Sequence, residues 1–263
     1  MAPSPKGLKH MAEEFILSTA GLTKEFKGFV AVDDVCIKVR PRTIHALIGP
    51  NGAGKTTCFN LLTKFLTPTK GQIFYKGQEI TGKKPSEIAR MGIVRSFQIS
   101  AVFPKLTALE NVRVAIQRRV GASLSFWQRK AVLDRYNEEA MALLKSVGLA
   151  GHAQTSASEL PYGQKRALEL ATTLALEPEL LLLDEPTAGM ASADVDNMIE
   201  LIKRVSKDRT VLMVEHNLKV VASLSDIVTV LAGGTVIAEG DYQTVSTDPH
   251  VITAYIGGSG HGH

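Results

Sequence analysis

The chain has 263 residues, 44% of them hydrophobic, enough for a large core built as one sizeable domain or as a domain with a subdomain. Its 30 Lys and Arg stand against 26 Asp and Glu, and the +4 balance is scattered along the sequence and not gathered in a stripe or tail, which speaks against a nucleic-acid partner. No apolar run approaches the ~18 residues of a membrane span, and the opening MAPSPKGLKHMAEEF lacks the apolar centre of a signal peptide, so the expected compartment is the cytosol.

Residues 15–40 predict short strands, with DDVCIKV alternating apolar and polar positions. TIHALIG is an apolar, partly β-branched strand that runs into a Gly-rich loop, and KTTCFNLLTKFL after it has helical spacing. GQIFYKG predicts a further strand, PSEIARMG a short helix, and GIVRSFQ a strand ending at Gln98. Between residues 107 and 147, LTALENVRVAIQRR and RKAVLDRYNEEAMALLKSVGL carry helical periodicity and many charges, the mark of an inserted helical segment. Beyond Gln164 the strand and helix alternation resumes. Ala167, Leu170, Ala171, Leu174 and Ala175 fall on one helix face, ELLLLD reads as a fully buried strand, and Val195, Met198, Ile199, Ile202 and Val205 form the next helix face before the strand TVLMVE. IVTVL and TVIAE flank Gly233 and Gly234 as a hairpin with a two-residue turn. The whole pattern is α/β, with a parallel sheet covered on both faces. Cys36 and Cys58, in no Cys or Cys/His cluster, read as reduced structural residues, and residues 1–13 and 258–263 as flexible tails.

GPNGAGKT, Gly49 to Thr56, has the phosphate-loop spacing of Gly, four residues, Gly, Lys and Thr. Through Gly49, Asn51, Gly52, Ala53 and Gly54 the backbone can wrap around a phosphate with its N–H groups inward, at the positive end of the following helix. Lys55 would reach the β and γ phosphates, Thr56 would bind Mg²⁺ through its hydroxyl, and Thr57 would bond the α phosphate, so a chain of phosphates with Mg²⁺ is the expected ligand. Such a loop needs a carboxylate at the end of a neighbouring buried strand. LLLLDE supplies Asp184 for the metal and Glu185, one residue on, as general base. An acidic pair can also be a strand end meeting solvent, a reading that the phosphate loop makes the poorer one. Gln98 and His216 end two further strands, and the carboxyl ends of parallel strands share one rim. His216 would bond the γ phosphate and orient the attacking water, although a lone histidine is more often a capping or core residue.

The order of Phe26, GPNGAGKT, Gln98, the helical segment, LPYGQKR, LLLLDEP and VEH resembles the ATP-binding subunit of ABC transporters, over residues from about 14 to 256. The resemblance implies a RecA-like phosphate-loop core with an N-terminal antiparallel β subdomain and a helical subdomain near residues 99–160, within a single domain at 14–257. It implies that Phe26 stacks on adenine, that Gln98 joins Glu185 and His216 in catalysis, and that Gln98 faces the metal with Thr56 and Asp184. LPYGQ stands where the family usually has Leu-Ser-Gly-Gly-Gln, so Pro161, Tyr162, Gly163 and Gln164 would bind the ATP held by a second subunit, two ATP molecules being sandwiched between two chains. Two departures stand out. Pro161 suits a first helical turn but brings no hydroxyl, and after DEPTAG the chain reads Met190, Ala191, Ser192 where the family commonly has Asp or Asn second.

The Tyr-Gly-Gln variant, IARMGIVRSFQ, LTALENVRVA and DPHVITAYIG are similar to the importers of the branched-chain amino acid type. That likeness implies a motor for import of branched-chain or related amino acids, peripheral on the cytoplasmic face of the inner membrane. Its partners would be a second ATPase subunit, a copy of this chain or, as that likeness favours, a different one, together with membrane permeases docked in a groove near Gln98, and indirectly a periplasmic substrate-binding protein. The rival is a soluble ABC ATPase acting in repair or translation. Such proteins usually carry two cassettes or a very long coiled coil, whereas this chain has one phosphate loop and no long heptad segment. A nucleotide-dependent binding module without useful hydrolysis is a third reading, against which Glu185 and His216 argue.

Overall fold

In the computed structural model the described residues are 14–96, 102–120 and 136–257; Gln98, both expected tails and the stretch 121–135 of the inserted segment lie outside them. The chain begins with β1 (Leu17–Phe26), β2 (Phe29–Val35) and β3 (Lys38–Val39). Val35, Ile37 and Val39 are buried while Cys36 and Lys38 are exposed, the period-two pattern read from the sequence. β1 is long enough to serve two partners: its first half pairs with β5 (Lys70–Tyr75), its second with β2. With β3 and β6 (Gln78–Glu79) they form a five-stranded antiparallel sheet.

The second sheet has six strands, β4 (Ile44–Ile48), β7 (Ile93–Ser96), β8 (Leu180–Asp184), β9 (Thr210–Val214), β10 (Ile227–Ala232) and β11 (Thr235–Gly240), in the order β11-β10-β4-β9-β8-β7. Five are parallel. The expected parallel sheet is thus completed by one antiparallel edge, because the turn of Gly233 and Gly234 pairs Ala232 with Thr235 and is too short for a crossover. The helices are α1 (Lys55–Leu62), α2 (Pro85–Arg90), α3 (Ala108–Arg119), α4 (Asn137–Ser146), α5 (Tyr162–Leu174), α6 (Ser192–Ser206), α7 (Leu218–Leu224), α8 (Tyr242–Ser246) and α9 (Pro249–Gly257).

Two apolar layers sandwich the six-stranded sheet, which explains why β4, β8 and β9 are buried at every position and carry near-continuous apolar runs in place of alternation. Leu181, Leu183, Val211 and Met213 join the layer made by α3 to α7. Leu180, Leu182, Leu212 and Val214 join the layer shared with α1 and the antiparallel sheet. Within the inserted segment, α3 is fixed at both of its ends. Thr107 and Glu110 form a reciprocal capping box at the start of α3, and Arg119 at its end bonds the Glu139 carboxylate of α4 at 2.7 Å and the Ala175 carbonyl at 3.1 Å. The helix expected over 55–66 stops at Leu62. The Thr63 hydroxyl donates back to the Phe59 carbonyl at 2.8 Å, and Lys64 takes a left-handed φ of 61° that turns the chain out of the helix.

Candidate functional site

β4, β8 and β9 lie side by side in parallel, so their carboxyl ends deliver the phosphate loop, the acidic pair and His216 to one rim. The loop between β4 and α1 is shaped by two contacts that only glycine permits. A Cβ on Gly49 would stand 2.0 Å from the Leu231 carbonyl oxygen, and one on Gly54 would stand 2.4 Å from that of Ala31, in β2. Both residues also have positive φ. Ala53 is buried under the curve, its amide bonded to Pro50 and its carbonyl accepting from Gly234, so the hairpin turn braces the loop from below. Asn51, Gly52 and Thr56 are exposed and Thr57 is half-buried.

Lys55 lies at the centre. Its ammonium donates to the Gly49 carbonyl at 2.7 Å and the Pro50 carbonyl at 2.9 Å, which leaves one of its three donors for a phosphate oxygen. Burial draws its pKa below the ordinary lysine value, and the charge of Glu185 works in the opposite direction.

At the end of β8 Asp184 is buried and ion-paired to Arg95 of β7. Glu185 leaves the strand with φ at 46°, a left-handed conformation that is uncommon for a residue with a side chain. Its amide still bonds the Val214 carbonyl of β9, and its own carbonyl accepts from Ala188. The Glu185 carboxylate stands 3.7 Å from the His216 Nδ1, wider than a direct hydrogen bond, and both side chains reach solvent.

Two residues that the sequence reading assigned no role turn out to organise this rim. Glu215 is fully buried and accepts four bonds: from the Thr187 amide and hydroxyl at 3.1 and 2.6 Å, and from the amides of His216 and Asn217 at 3.0 and 3.2 Å. It therefore locks the loop after β8 to the loop after β9 and sets how Glu185 and His216 face each other. A carboxylate ending an apolar strand was the available signal. Arg95 offered only an unexpected charge inside GIVRSFQ.

Phe26, at the end of β1, is 42% exposed, with the Lys24 ammonium 5.1 Å from its ring centre, and Phe29, across the turn, is 67% exposed. The pair stands out on the same ribbon that supplies Ala31 to the phosphate loop. Phe29 was not singled out from the sequence.

Pro161 caps α5, and Tyr162 to Gln164 form its first turn. Among the described residues this turn makes its side-chain contacts away from the phosphate loop. The Tyr162 hydroxyl donates to the Ala188 carbonyl at 3.0 Å and accepts from Arg166 at 3.1 Å, while Gln164 pairs with His152 at 3.2 Å. Gly163 faces the Asp194 carboxylate so closely that a Cβ would lie 2.7 Å from its carbon. The unusual tyrosine thus fastens the start of α5 to the loop that follows Glu185. Ala191, the second departure, occupies the N-cap of α6 without a side-chain bond.

Among the described residues no three His, Cys, Asp or Glu side chains gather to hold a metal. One carboxylate and one hydroxyl, Asp184 and Thr56, suit a hard cation that takes most of its ligands from phosphate and water. That donor set fits Mg²⁺. Gln98 lies outside the described residues.

The profile of the family described as ABC transporter matches residues 32–188, and that described as branched-chain amino acid ATP-binding cassette transporter matches 235–261. The chain is 41% identical over 249 residues to the high-affinity branched-chain amino acid transport ATP-binding protein BraF of Pseudomonas aeruginosa, covering 92% of this chain and 98% of that one. It is 40% identical over 253 residues to LivG of Escherichia coli K12, a protein of the same description, with the same coverage. Among solved structures, an ATP-binding cassette of an ABC transporter in its ADP conformation superposes with a TM-score of 0.80 at 30% identity, covering 92% of this chain and 98% of that one.

Proposed function

This chain belongs to the ABC transporter family of ATP-binding subunits, and we propose that it is the ATP-hydrolysing motor of an importer for branched-chain or related amino acids. The likeness to the branched-chain transport proteins runs nearly end to end and includes the C-terminal segment matched by their own profile. The soluble repair or translation reading is not favoured. The observation that carries the mechanism is the convergence of Lys55, Asp184, Glu185 and His216 on one sheet edge, where Glu215 ties the loop after β8 to the loop after β9.

Residues 14–257 work as one ATPase domain. Phe26 stacks on the adenine of ATP, the amides between Gly49 and Thr56 surround the β phosphate, and Lys55 offers its remaining donor to the β and γ phosphates. Thr57 bonds the α phosphate. Thr56, Asp184 and, by resemblance, Gln98 would hold Mg²⁺, which would supply charge neutralisation for the phosphates. Glu185 accepts the proton of the attacking water as general base, and His216 bonds the γ phosphate and keeps the water in line. Pro161, Tyr162, Gly163 and Gln164 present the N-terminus of α5 to the ATP of a second ATPase subunit. That contact rests on backbone amides and the helix dipole, since Pro161 brings no hydroxyl and that of Tyr162 is bonded to Ala188 and Arg166.

Among the described residues no helix is long and apolar enough to cross a membrane. In the proposed assembly the chain is a peripheral subunit on the cytoplasmic face, docked to permeases and through them linked to a periplasmic binding protein, as the likeness to branched-chain transport ATP-binding proteins suggests. Glu185→Gln tests the reading: ATP binding is retained, while hydrolysis falls by ~10²-fold or more, the loss expected of a general base. Near-normal turnover in that variant would remove the assignment.

A further inference from the structure

We propose that Arg95 is a positioning residue that fixes the spacing between the hydroxyl and the carboxylate meant for one divalent cation; this rests on the assignment of Thr56 and Asp184 to that cation. Arg95 is the third residue of β7, directly beside Leu182 of β8. Its guanidinium is a two-pronged donor. One terminal nitrogen, Nη2, donates to Asp184 Oδ2, and the other, Nη1, donates to Asn60 Oδ1 at 2.6 Å. Asn60 follows Thr56 by four residues in α1, so the two share a helix face. A single planar group therefore ties the helix face that carries Thr56 to the strand end that carries Asp184.

The surroundings hold the fork still. The guanidinium carbon lies 5.5 Å from the ring centre of Phe59 and 5.9 Å from that of Phe65, and the side chains of Arg95 and Asp184 are only 12% and 5% exposed. Charge neutralisation alone needs only the contact with Asp184. The second prong, to Asn60, is the part that sets a distance, and a lysine could supply the charge without it. Among the described residues no hydrogen bond reaches Asp184 Oδ1, so the clamp leaves that oxygen to the cation's water shell.

The test is the affinity of the full chain for ATP measured in EDTA and again in Mg²⁺, for wild type, Arg95→Lys, Asn60→Ala and Asp184→Asn. Arg95→Lys is expected to bind metal-free ATP about as wild type does but to lose about tenfold of the Mg²⁺-dependent gain, the low end of what an outer partner of a metal ligand contributes. Asn60→Ala loses a smaller part of the same gain, and it carries the test if Arg95→Lys does not fold. Loss of the gain in Asp184→Asn with no change in Arg95→Lys or Asn60→Ala would overturn the inference and leave Arg95 a structural partner. Full gain in Asp184→Asn would overturn the cation assignment itself, and this inference with it.

Discussion

Lys55, Asp184 and Glu215 are buried and bonded within their own chain, whereas Pro161 and Tyr162, at the start of α5, are exposed, Tyr162 by 48%. One region encloses its charges; the other holds a helix end outward and steadies it from behind through Ala188. On the proposed function, that difference separates a half-site that grips a nucleotide by itself from a half-site with use only against another subunit. Substitutions should therefore separate binding from turnover according to the region they touch.

The sharpest separation is expected at Gly49. Gly49→Ala drives a methyl into the Leu231 carbonyl and strains a backbone of positive φ, so ATP affinity should fall by roughly 10²-fold, as titration with nucleotide would show. Retained affinity would mean that the loop is not built as described. His45 of β4 tests the core beneath it. Burial pulls its pKa from 6.5 to about 4, while its Nε2 pairs with the Thr229 hydroxyl at 2.7 Å, and that hydroxyl donates to Glu239 at 2.6 Å. Between those two values the unfolded chain takes up a proton that the folded chain refuses. This group's contribution to stability is intact above pH 6.5 and declines by about 3 kcal/mol as the pH falls to 4. Denaturant unfolding should show a shallower acid decline in His45→Gln than in wild type across that window.

Gly163→Ala probes the other region. Its methyl would collide with the Asp194 carboxylate and displace the first turn of α5, so hydrolysis in the assembled transporter should fall by about tenfold while ATP binding to the isolated chain stays as it was. Removing the obstruction with Asp194→Ala in the same chain should recover much of the rate; equal loss of binding and turnover would erase the distinction between the two regions. The smallest effect is expected at Ala191, where Ala191→Asp supplies the missing cap of α6 and should raise stability by about 1 kcal/mol in thermal unfolding.

The phosphate-binding half was legible because its demands are local. Glycine spacing, an apolar run and an acidic pair each sit within a few residues, and the strand periodicities place them on one edge. The hairpin at Gly233 and Gly234 was legible for the same reason. Arg95 was not, since its meaning depends on Asn60 and Asp184, which reach it from α1 and β8 only after the sheet has formed. Glu215 was hidden likewise, for its partners are backbone amides of two loops. The end of α1 was misjudged because the apolar Phe65 and Leu66 continue the helical spacing past the point where Lys64 has turned left-handed. Tyr162, a departure when read along the chain, acquires a purpose only beside Ala188.

In the proposed assembly this chain brings a whole phosphate grip but only half of each sandwiched ATP site. The most direct measurement is ATP turnover by the purified chain alone and then with its candidate partner ATPase and permease subunits, with Glu185→Gln as the blank. Turnover should rise sharply only in the mixture; the same rate from the chain alone and in the mixture would mean that the chain completes both sites without a different partner.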